Sequence, residues 1–469
     1  MDSQRKHVEV VMLPWLAQGH ITPFFNLSKT LAKHEAIKVS ILSTPVNISR
    51  IKERLQPGDS IELLEIPLPS VDGLPAGDEC TADIEPEIAH LLHEAFDKLA
   101  GPLETLLRSL SPDFLIHDLL AVWAAPIAAE LGIHTLAFSV YSPAAFSYVL
   151  SHSKHRPVNG VDKTPEDLSR PAPGYPSAAI SMHPFEARQM VRLFMASHQG
   201  PTVSELGYQY SWGILIKSCF EEEDKYLQYL SHITGKPVIS VGPLMLLEGR
   251  VGVEDEDGDH ELVKWLDKQE ASSVVFVAFG SESFLSAEQI TELAFALEDT
   301  GRPFLWSLRS SEGTRTPLSF LPEGFEGRTR ERGMVIGGWV PQQRIVSHSS
   351  VGSYVTHGGW SSVMEAWLYS GLPLVLIPLR NDQGLNCRHI ARELNAGVEV
   401  ERTEEGLFRR EDVCQAVNTV MGDDKRGAEI RSRVEALRGV IVFNGGRRHA
   451  VIRELVDHMK SMAVSDKAQ

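Results

Sequence analysis

The sequence predicts an α/β protein built from two doubly wound halves, each a parallel sheet covered by helices on both faces. Three observations carry this prediction. Short β-branched apolar runs alternate with amphipathic stretches twice along the chain, the pattern of parallel strands joined by covering helices. The two series are separated by a segment in which Gly, Pro and acidic residues replace periodic apolar ones. The chain of 469 residues is also long enough for two or three domains with full cores.

In the first half, strands are expected at 8–13, 39–43, 61–66, 114–117, 135–140 and 214–217. In the second they are expected at 274–279, 304–308, 334–336, 352–355, 374–377 and 398–400. The boundaries that follow are 1–245 for the first domain, 246–262 for the linker, 263–447 for the second domain and 448–469 for a terminal helix. That helix carries Val451, Ile452, Leu455, Val456 and Met459 at helical spacing, so its apolar face needs a partner. The Pro- and Ser-containing stretch 156–181 reads as a mobile loop.

Composition narrows the function. A hydrophobic content of 43% is that of a globular protein. A net charge of −17, from 45 basic against 62 acidic residues, argues against nucleic acid or an anionic membrane as partner. The start MDSQRKHVEV holds no apolar leader, and no later run reaches membrane-spanning length, so a cytoplasmic protein without a membrane span is expected. Cys80, Cys219, Cys387 and Cys414 are scattered without metal-ligand spacing and read as reduced thiols.

Near the amino terminus, VEVVMLPWLAQGHITPFFNLSKTLAK is a buried strand, a glycine turn and an amphipathic helix. The turn presents His20 at the carboxyl edge of a sheet, with Pro23 in the first helical turn. An imidazole there can take a proton from a hydroxyl near neutral pH if a carboxylate fixes its tautomer and stabilises the imidazolium. Asp118, after the apolar run of SPDFLIHD, falls at a strand's carboxyl end near the same crevice, whereas Asp113 falls at the opposite edge. A histidine at a helix start is by itself more often structural than catalytic.

The stretch 339–383 holds a second set of ligand-binding devices. Trp339 follows an apolar strand and offers a flat face on which a base can stack. Further on, Thr356, His357, Gly358, Gly359 and Trp360 form a tight turn into a helix expected to begin near Ser361. Glycines leave room for close approach, and the first N–H groups of a helix attract anions, so this turn suits a diphosphate.

The order Trp339, Gln342, His348, His357, Gly359, Trp360, Ser362, Glu365, Pro373, Asp382, Gln383 resembles the signature box of plant family 1 UDP-dependent glycosyltransferases. The resemblance implies an α/β fold of two facing Rossmann-like domains, the GT-B fold, with the acceptor on the first domain and the UDP-sugar on the second. It further implies that the terminal helix crosses back to pack on the first half. In those terms Trp339, with Val340 beside it, binds uracil, and Gln342 with Glu365 binds the ribose. His357, Gly359, Ser361 and Ser362 hold the diphosphate, while Trp360, Asp382 and Gln383 hold the sugar. Ser281, in the turn Phe279-Gly280-Ser281-Glu282, is a further phosphate contact, although a plain strand-to-helix turn accounts for it equally. His20 in GHITPF and Asp118 in PDFLIHD resemble the family's base and orienting acid. Two departures stand out: Ser361 replaces the usual Asn, and one extra residue lies between Glu365 and Gly371.

Several competing readings bear on single residues. Ser362 to Glu365 also spells a capping box, in which Glu365 serves only the helix. His348 reads as a turn-fixing residue, and Trp367 and Tyr369 as packing. The Asp-x-Asp patterns at Asp255-Glu-Asp257 and Asp257-Gly-Asp259 lie in an acidic connector without a preceding strand, so no metal is expected.

The words LPWLAQGH, STPVNI, VDGLP and FGSE resemble the branch that extends the sugar of flavonoid or terpenoid glycosides. The expected activity is inverting transfer from a UDP-sugar, with UDP-glucose favoured over UDP-rhamnose or UDP-xylose, to a hydroxyl of such a molecule or its aglycone. C-glycosylation of a phenol and non-catalytic UDP-sugar binding are the alternatives. A monomer is expected, with no cofactor beyond the donor substrate. Trp15, Phe24, Trp123, Tyr141, Phe146 and the loop around Met190 are candidate acceptor-pocket walls. A dinucleotide oxidoreductase is disfavoured because Gly19-His20-Ile-Thr-Pro23 is not a Gly-x-Gly-x-x-Gly turn.

Overall fold

The computed structural model describes residues 7–154, 163–195, 203–218, 221–244, 257–309, 317–443 and 445–465. The chain divides into two units, one of Met1–His155, Ser197–Met245 and Asn444–Gln469, the other of Arg156–Ala196 and Leu246–Phe443.

In the first unit the strands are β1 (Val8–Leu13), β2 (Ile37–Ser43), β3 (Ile61–Glu65), β4 (Phe114–Asp118), β5 (His134–Ser139), β6 (Gly213–Ile216) and β7 (Val238–Ser240). They form one parallel sheet in the order β3-β2-β1-β4-β5-β6-β7. Its central strands are buried on both faces, which is why they read as near-continuous apolar runs and not as alternating ones. One core contains Val10, Met12, Phe24, Phe114, Ile116, Leu136 and Phe138, and Ile452, Leu455, Val456 and Met459 of the terminal helix Gly445–Ser465 pack into it. Phe24, expected as a pocket wall, belongs to this core, fully buried against Phe138 with ring centroids 4.8 Å apart.

The second unit contains β8 (Val274–Ala278), β9 (Phe304–Leu308), β10 (Gly333–Gly337), β11 (Val351–Thr356), β12 (Leu374–Leu376) and β13 (Gly397–Glu399). All are parallel, in the order β10-β9-β8-β11-β12-β13. In each sheet the winding reverses direction once, between β1 and β4 in the first and between β8 and β11 in the second. At such a reversal the loops leaving neighbouring strands diverge to opposite faces and open a crevice at the carboxyl edge.

Three expectations about organisation are modified. The strand β7 was absent from the sequence reading, because only three half-buried edge residues after Pro237 form it. Residues 245–256, most of the expected linker, lie outside the described residues, and from Asp257 the chain is already helical, with Leu262 and Leu266 buried. The stretch 156–181 is not loop throughout. Residues 163–195 include a helix at Pro165–Leu168, held by a reciprocal Thr164–Asp167 capping box, and a second helix at Pro184–Met195. This stretch groups with the second unit and not with the 1–245 domain, because its ion pairs are made there.

The terminal helix buries its apolar face in the first core. Leu455→Ala is therefore expected to destabilise that unit by about 2–5 kcal/mol, read as a lower urea midpoint. An unchanged midpoint would detach the helix from the core.

Candidate functional site

The first cluster sits at the reversal between β1 and β4. The chain leaves β1 through Pro14-Trp15-Leu16-Ala17 and enters the helix Gln18–Ala32, so His20 is its third residue. The helix begins earlier than the sequence suggested, which moves Pro23 out of its first turn. Asp118 is the last residue of β4. His20 Nδ1 and Asp118 Oδ2 are 2.7 Å apart, with the imidazole 13% exposed and the carboxylate 1% exposed. The other oxygen, Oδ1, accepts the Leu120 N–H at 3.0 Å. A carboxylate in that position holds the proton of His20 on Nδ1 and leaves Nε2 as the acceptor.

Around the pair, Tyr141 stands edge-on to His20 with centroids 5.9 Å apart. Trp15 is stacked on His93 at 4.1 Å and meets Phe96 edge-on at 4.9 Å. Trp123 donates to Asp97 Oδ1 at 3.0 Å, and Phe146 is buried in a cluster with Leu119 and Leu150. The remaining carboxylate considered, Asp113, accepts the Glu9 N–H at 2.9 Å and is structural. His117 is buried, bonded to Ser211 Oγ at 2.9 Å, and kept below its ordinary pKa by burial.

The second cluster sits at the reversal between β8 and β11. After β11, the turn His357-Gly358-Gly359 leads into the helix Trp360–Ser370, which is joined to that turn by the Val363 N–H to Gly359 O bond at 3.1 Å. The N–H groups of Trp360, Ser361 and Ser362 therefore lie in the helix's first turn, ahead of any acceptor within the helix. The His357 ring is wedged between two backbones. A Cβ on Gly280, at φ +76°, would stand 2.8 Å from its Cε1, and one on Gly359 would stand 2.4 Å from its Nε2. Neither site tolerates a side chain while the imidazole stays. Ser281 follows Gly280 in the same turn after β8. Burial lowers the His357 pKa to about 4, and the charge of Arg380 adds to the effect.

Trp339 follows β10 at its carboxyl end and is 74% exposed, and the Arg309 guanidinium lies over its ring at 5.4 Å. Val340 beside it is buried. Gln342 Nε2 donates to Glu365 Oε2 at 2.7 Å, and Tyr354 Oη donates to Gln342 Oε1 at 3.1 Å. Glu365 is no capping residue: the helix starts at Trp360 with Gly359 as its N-cap, so Glu365 is in its second turn and its carboxylate faces Gln342. His348 fixes a turn, with Nδ1 on Ser350 Oγ at 2.8 Å and Nε2 on Asp267 Oδ1 at 3.1 Å.

The Trp360 indole is not presented as a sugar contact. It is buried edge-on to Trp367 and tilted against His389, with centroids 6.4 and 6.1 Å away, so what it brings to the turn is its backbone N–H. The helix runs on to Gly371, which at φ +63° ends it, with Leu372 N–H bonded to Ala366 O at 3.2 Å. The additional residue before Gly371 is thus absorbed in an unbroken helix.

Asp382 stands just before the short helix Gln383–Arg388, without a side-chain capping bond, and its Oδ2 accepts from Asn386 Nδ2 at 2.9 Å. Asn386 also donates to Gly358 O at 3.1 Å and so ties this helix to the phosphate-suited turn. Gln383 Oε1 accepts the Leu379 and Arg380 N–H groups at 2.9 and 3.0 Å, and its Nε2 donates to Ser283 Oγ at 3.2 Å.

Arg309, Tyr354, Ser283 and Asn386 were not singled out in the sequence, since each reaches a segment distant from it along the chain. No group of three or more His, Cys, Asp or Glu positioned to hold a metal occurs among the described residues, and Asp255 lies outside them. Among the same residues no helix is long and apolar enough to cross a membrane.

Comparison with known proteins agrees over the full length. The model of the UDP-glucoronosyl and UDP-glucosyl transferase family matches residues 245–436, and that of the glycosyltransferase N-terminal domain matches residues 6–246. The chain is 35% identical to the anthocyanidin-3-O-glucoside rhamnosyltransferase of Petunia hybrida, covering 99% of each sequence. It is 38% identical to UDP-glycosyltransferase 79A6 of Glycine max, again covering 99% of each. Among solved structures it resembles UGT73P12 of Glycyrrhiza uralensis complexed with glycyrrhetinic acid 3-O-monoglucuronide. There the TM-score is 0.82 and the identity 28%, over 98% of this chain and 97% of that one.

Because the folded-state pKa of His357 lies below the ordinary 6.5, the unfolded chain binds the extra proton. The stability contributed is full above about pH 6.5 and is lost as pH falls toward 4, by on the order of 3 kcal/mol. His357→Asn is expected to flatten the fall in urea midpoint across that window. A profile as steep as that of the unaltered protein would assign the acid sensitivity elsewhere.

Proposed function

The chain belongs to plant family 1 of the UDP-dependent glycosyltransferases, with the GT-B fold, in the branch of flavonoid and terpenoid enzymes, and on that premise we propose that it transfers the sugar by direct inverting displacement with His20 as general base. The single observation that carries this reading is the 2.7 Å contact between His20 Nδ1 and Asp118 Oδ2. It leaves Nε2 to take the proton of the acceptor hydroxyl, while Asp118 offsets the imidazolium charge. As that proton leaves, the oxygen attacks the anomeric carbon from the face opposite UDP. The carbon–oxygen bond to the β-phosphate breaks, and the configuration inverts in one step without a glycosyl-enzyme intermediate.

The second cluster receives the donor in this proposal. Uracil lies on the exposed face of Trp339 beside Val340, and the ribose hydroxyls meet Gln342 and Glu365. The diphosphate lies at the first turn of the helix Trp360–Ser370, where the N–H groups of Gly359, Trp360, Ser361 and Ser362 and the hydroxyls of Ser281, Ser361 and Ser362 can donate. A neutral His357 donates one hydrogen bond there without a full charge. Asp382 and Gln383 meet the sugar, with UDP-glucose the favoured donor.

The acceptor is a flavonoid or terpenoid glycoside, extended at a sugar hydroxyl. Support comes from the relative in Petunia hybrida, whose name places a 3-O-glucoside as its substrate, and from the aromatic residues Trp15, Tyr141 and Trp123 of the first unit. The test is incubation with UDP-glucose, UDP-rhamnose and UDP-xylose against flavonoids, terpenoids and their glycosides. Mass gain identifies the pair used, and a β-linkage formed from UDP-α-glucose is the outcome inversion requires. An α-linkage would overturn the mechanism.

His20→Ala is expected to lower kcat by about 10²–10⁴-fold with UDP affinity unchanged, and Asp118→Asn to act in the same direction by releasing the tautomer. A parallel loss of UDP binding would make His20 structural. Trp339→Ala is expected to weaken UDP binding by about 1–3 kcal/mol, measured by calorimetric titration. An unchanged affinity would remove Trp339 from the base site.

A further inference from the structure

Behind the Asp382-Gln383 turn lies a buried charge cluster that the reaction does not use. Glu186, on the helix Pro184–Met195, places Oε1 2.6 Å from Arg402 Nη2 and pairs through Oε2 with Arg388. Glu399, ending β13, pairs with the same two arginines at 2.7 and 3.3 Å. Glu186, Arg388 and Arg402 are all buried. Burial alone would raise the Glu186 pKa, but the charges of Arg388 and Arg402 outweigh it and keep the carboxylate ionised.

The two arginines grip opposite ends of one segment. Arg402 Nη1 donates to Pro378 O at 3.1 Å, where the loop toward Asp382 begins, and Arg388 is the last residue of the helix that Gln383 opens. Between these ends the Glu186 carboxylate rests directly on Gly384: a Cβ there would lie 2.0 Å from its Oε1. Glu186 therefore touches both arginines that hold the ends of residues 378–388, sharing them with Glu399, and alone bears on the middle at Gly384. The hydrogen bonds of Gln383 and Asn386 give that segment its single arrangement, with Asn381 at φ +55°.

We propose that Glu186 is a positioning residue for the donor sugar, a role that rests on the assignment of Asp382 and Gln383 to sugar binding. Without its charge, two buried guanidiniums share Glu399 and the lone excess cation must be relieved by movement of the segment or entry of water. The sugar-facing turn then loses register, while the nucleotide-facing residues Trp339, Gln342 and Glu365 keep theirs. Displacement of a reacting group by about 1 Å is enough to cost roughly a hundredfold in rate.

The experiment compares the affinities of UDP and UDP-glucose by calorimetric titration, alongside steady-state kinetics, for the full chain and the variants Glu186→Gln and Gly384→Ala. Expected for Glu186→Gln is a UDP affinity within about threefold of the unaltered chain, a loss of the added affinity that glucose confers, and a fall in kcat/KM of roughly a hundredfold. Gly384→Ala, which changes no charge but collides with the carboxylate, is expected to give the same split even if Glu186→Gln fails to fold. In Glu186→Ala/Gly384→Ala the two losses are expected not to add, because the new methyl enters vacated space. Equal loss of UDP and UDP-glucose affinity, or unaltered affinities in Gly384→Ala, would overturn the proposal. If the unaltered chain bound UDP-glucose without transferring glucose, the catalytic reading would fall while the affinity comparison still judged Glu186.

Discussion

The structure depends on one topological constraint: in each sheet the order of winding reverses at a single place. Parallel strands joined by right-handed crossovers cannot change direction without sending two neighbouring loops to opposite faces. Between β1 and β4 those loops bring His20 and Asp118 together across 98 residues of sequence. Between β8 and β11 they bring Gly280 against His357. Neither pairing needs an unusual backbone beyond a glycine turn. What distinguishes the two crevices is chemistry, an imidazole bonded to a carboxylate in one and a helix N-terminus with a neutral imidazole in the other.

Within the second unit, the side chains that face the proposed donor are already committed to each other. Gln342 and Glu365 are joined, Gln383 spends its carbonyl oxygen on two backbone N–H groups, and Asp382 holds Asn386. Such bonds fix each group before a ligand arrives, which lowers the ordering cost of binding. They also limit what each can offer. The amide of Gln383 has one N–H beyond the one that Ser283 takes, so in the proposed complex the carboxylate of Asp382 and the backbone of the turn would carry more of the recognition than the side-chain inventory alone implies.

Much of this was legible in the sequence, and for a local reason. Buried parallel strands declare themselves as apolar runs, and twelve of the strands, β1 to β6 and β8 to β13, lie where those runs stand. The His20–Asp118 contact and the glycine turn after β11 were foreshadowed too, because each depends on residues at the carboxyl ends of recognisable strands. What was not legible depends on distance or on direction. A tryptophan in a helix's first turn can point outward or inward with the same letters, and Trp360 points inward, against Trp367 and His389. Phe24 looked like a pocket wall because helix periodicity shows the apolar face without showing what covers it. The stretch 156–181 read as loop because Pro and Ser recur in it, and nothing in the sequence around Glu186 names Arg388 and Arg402 as its partners.

That last omission bears on how such a protein can vary. The His20–Asp118 pair is specified by two residues at fixed places, on the helix after β1 and at the end of β4, so substitution of either removes the contact outright. The turn at Asp382 and Gln383 is specified indirectly, by a distant carboxylate, Glu186, that with Glu399 neutralises two arginines and leaves no room for a side chain at position 384. A change in the helix Pro184–Met195 can therefore shift the turn without touching any residue that meets the ligand. Buried ion clusters of this kind add little to net stability, because desolvation offsets most of their attraction, yet removal of one partner leaves an uncompensated buried charge. In this chain that charge would fall beneath the loop to which the proposal assigns the donor sugar.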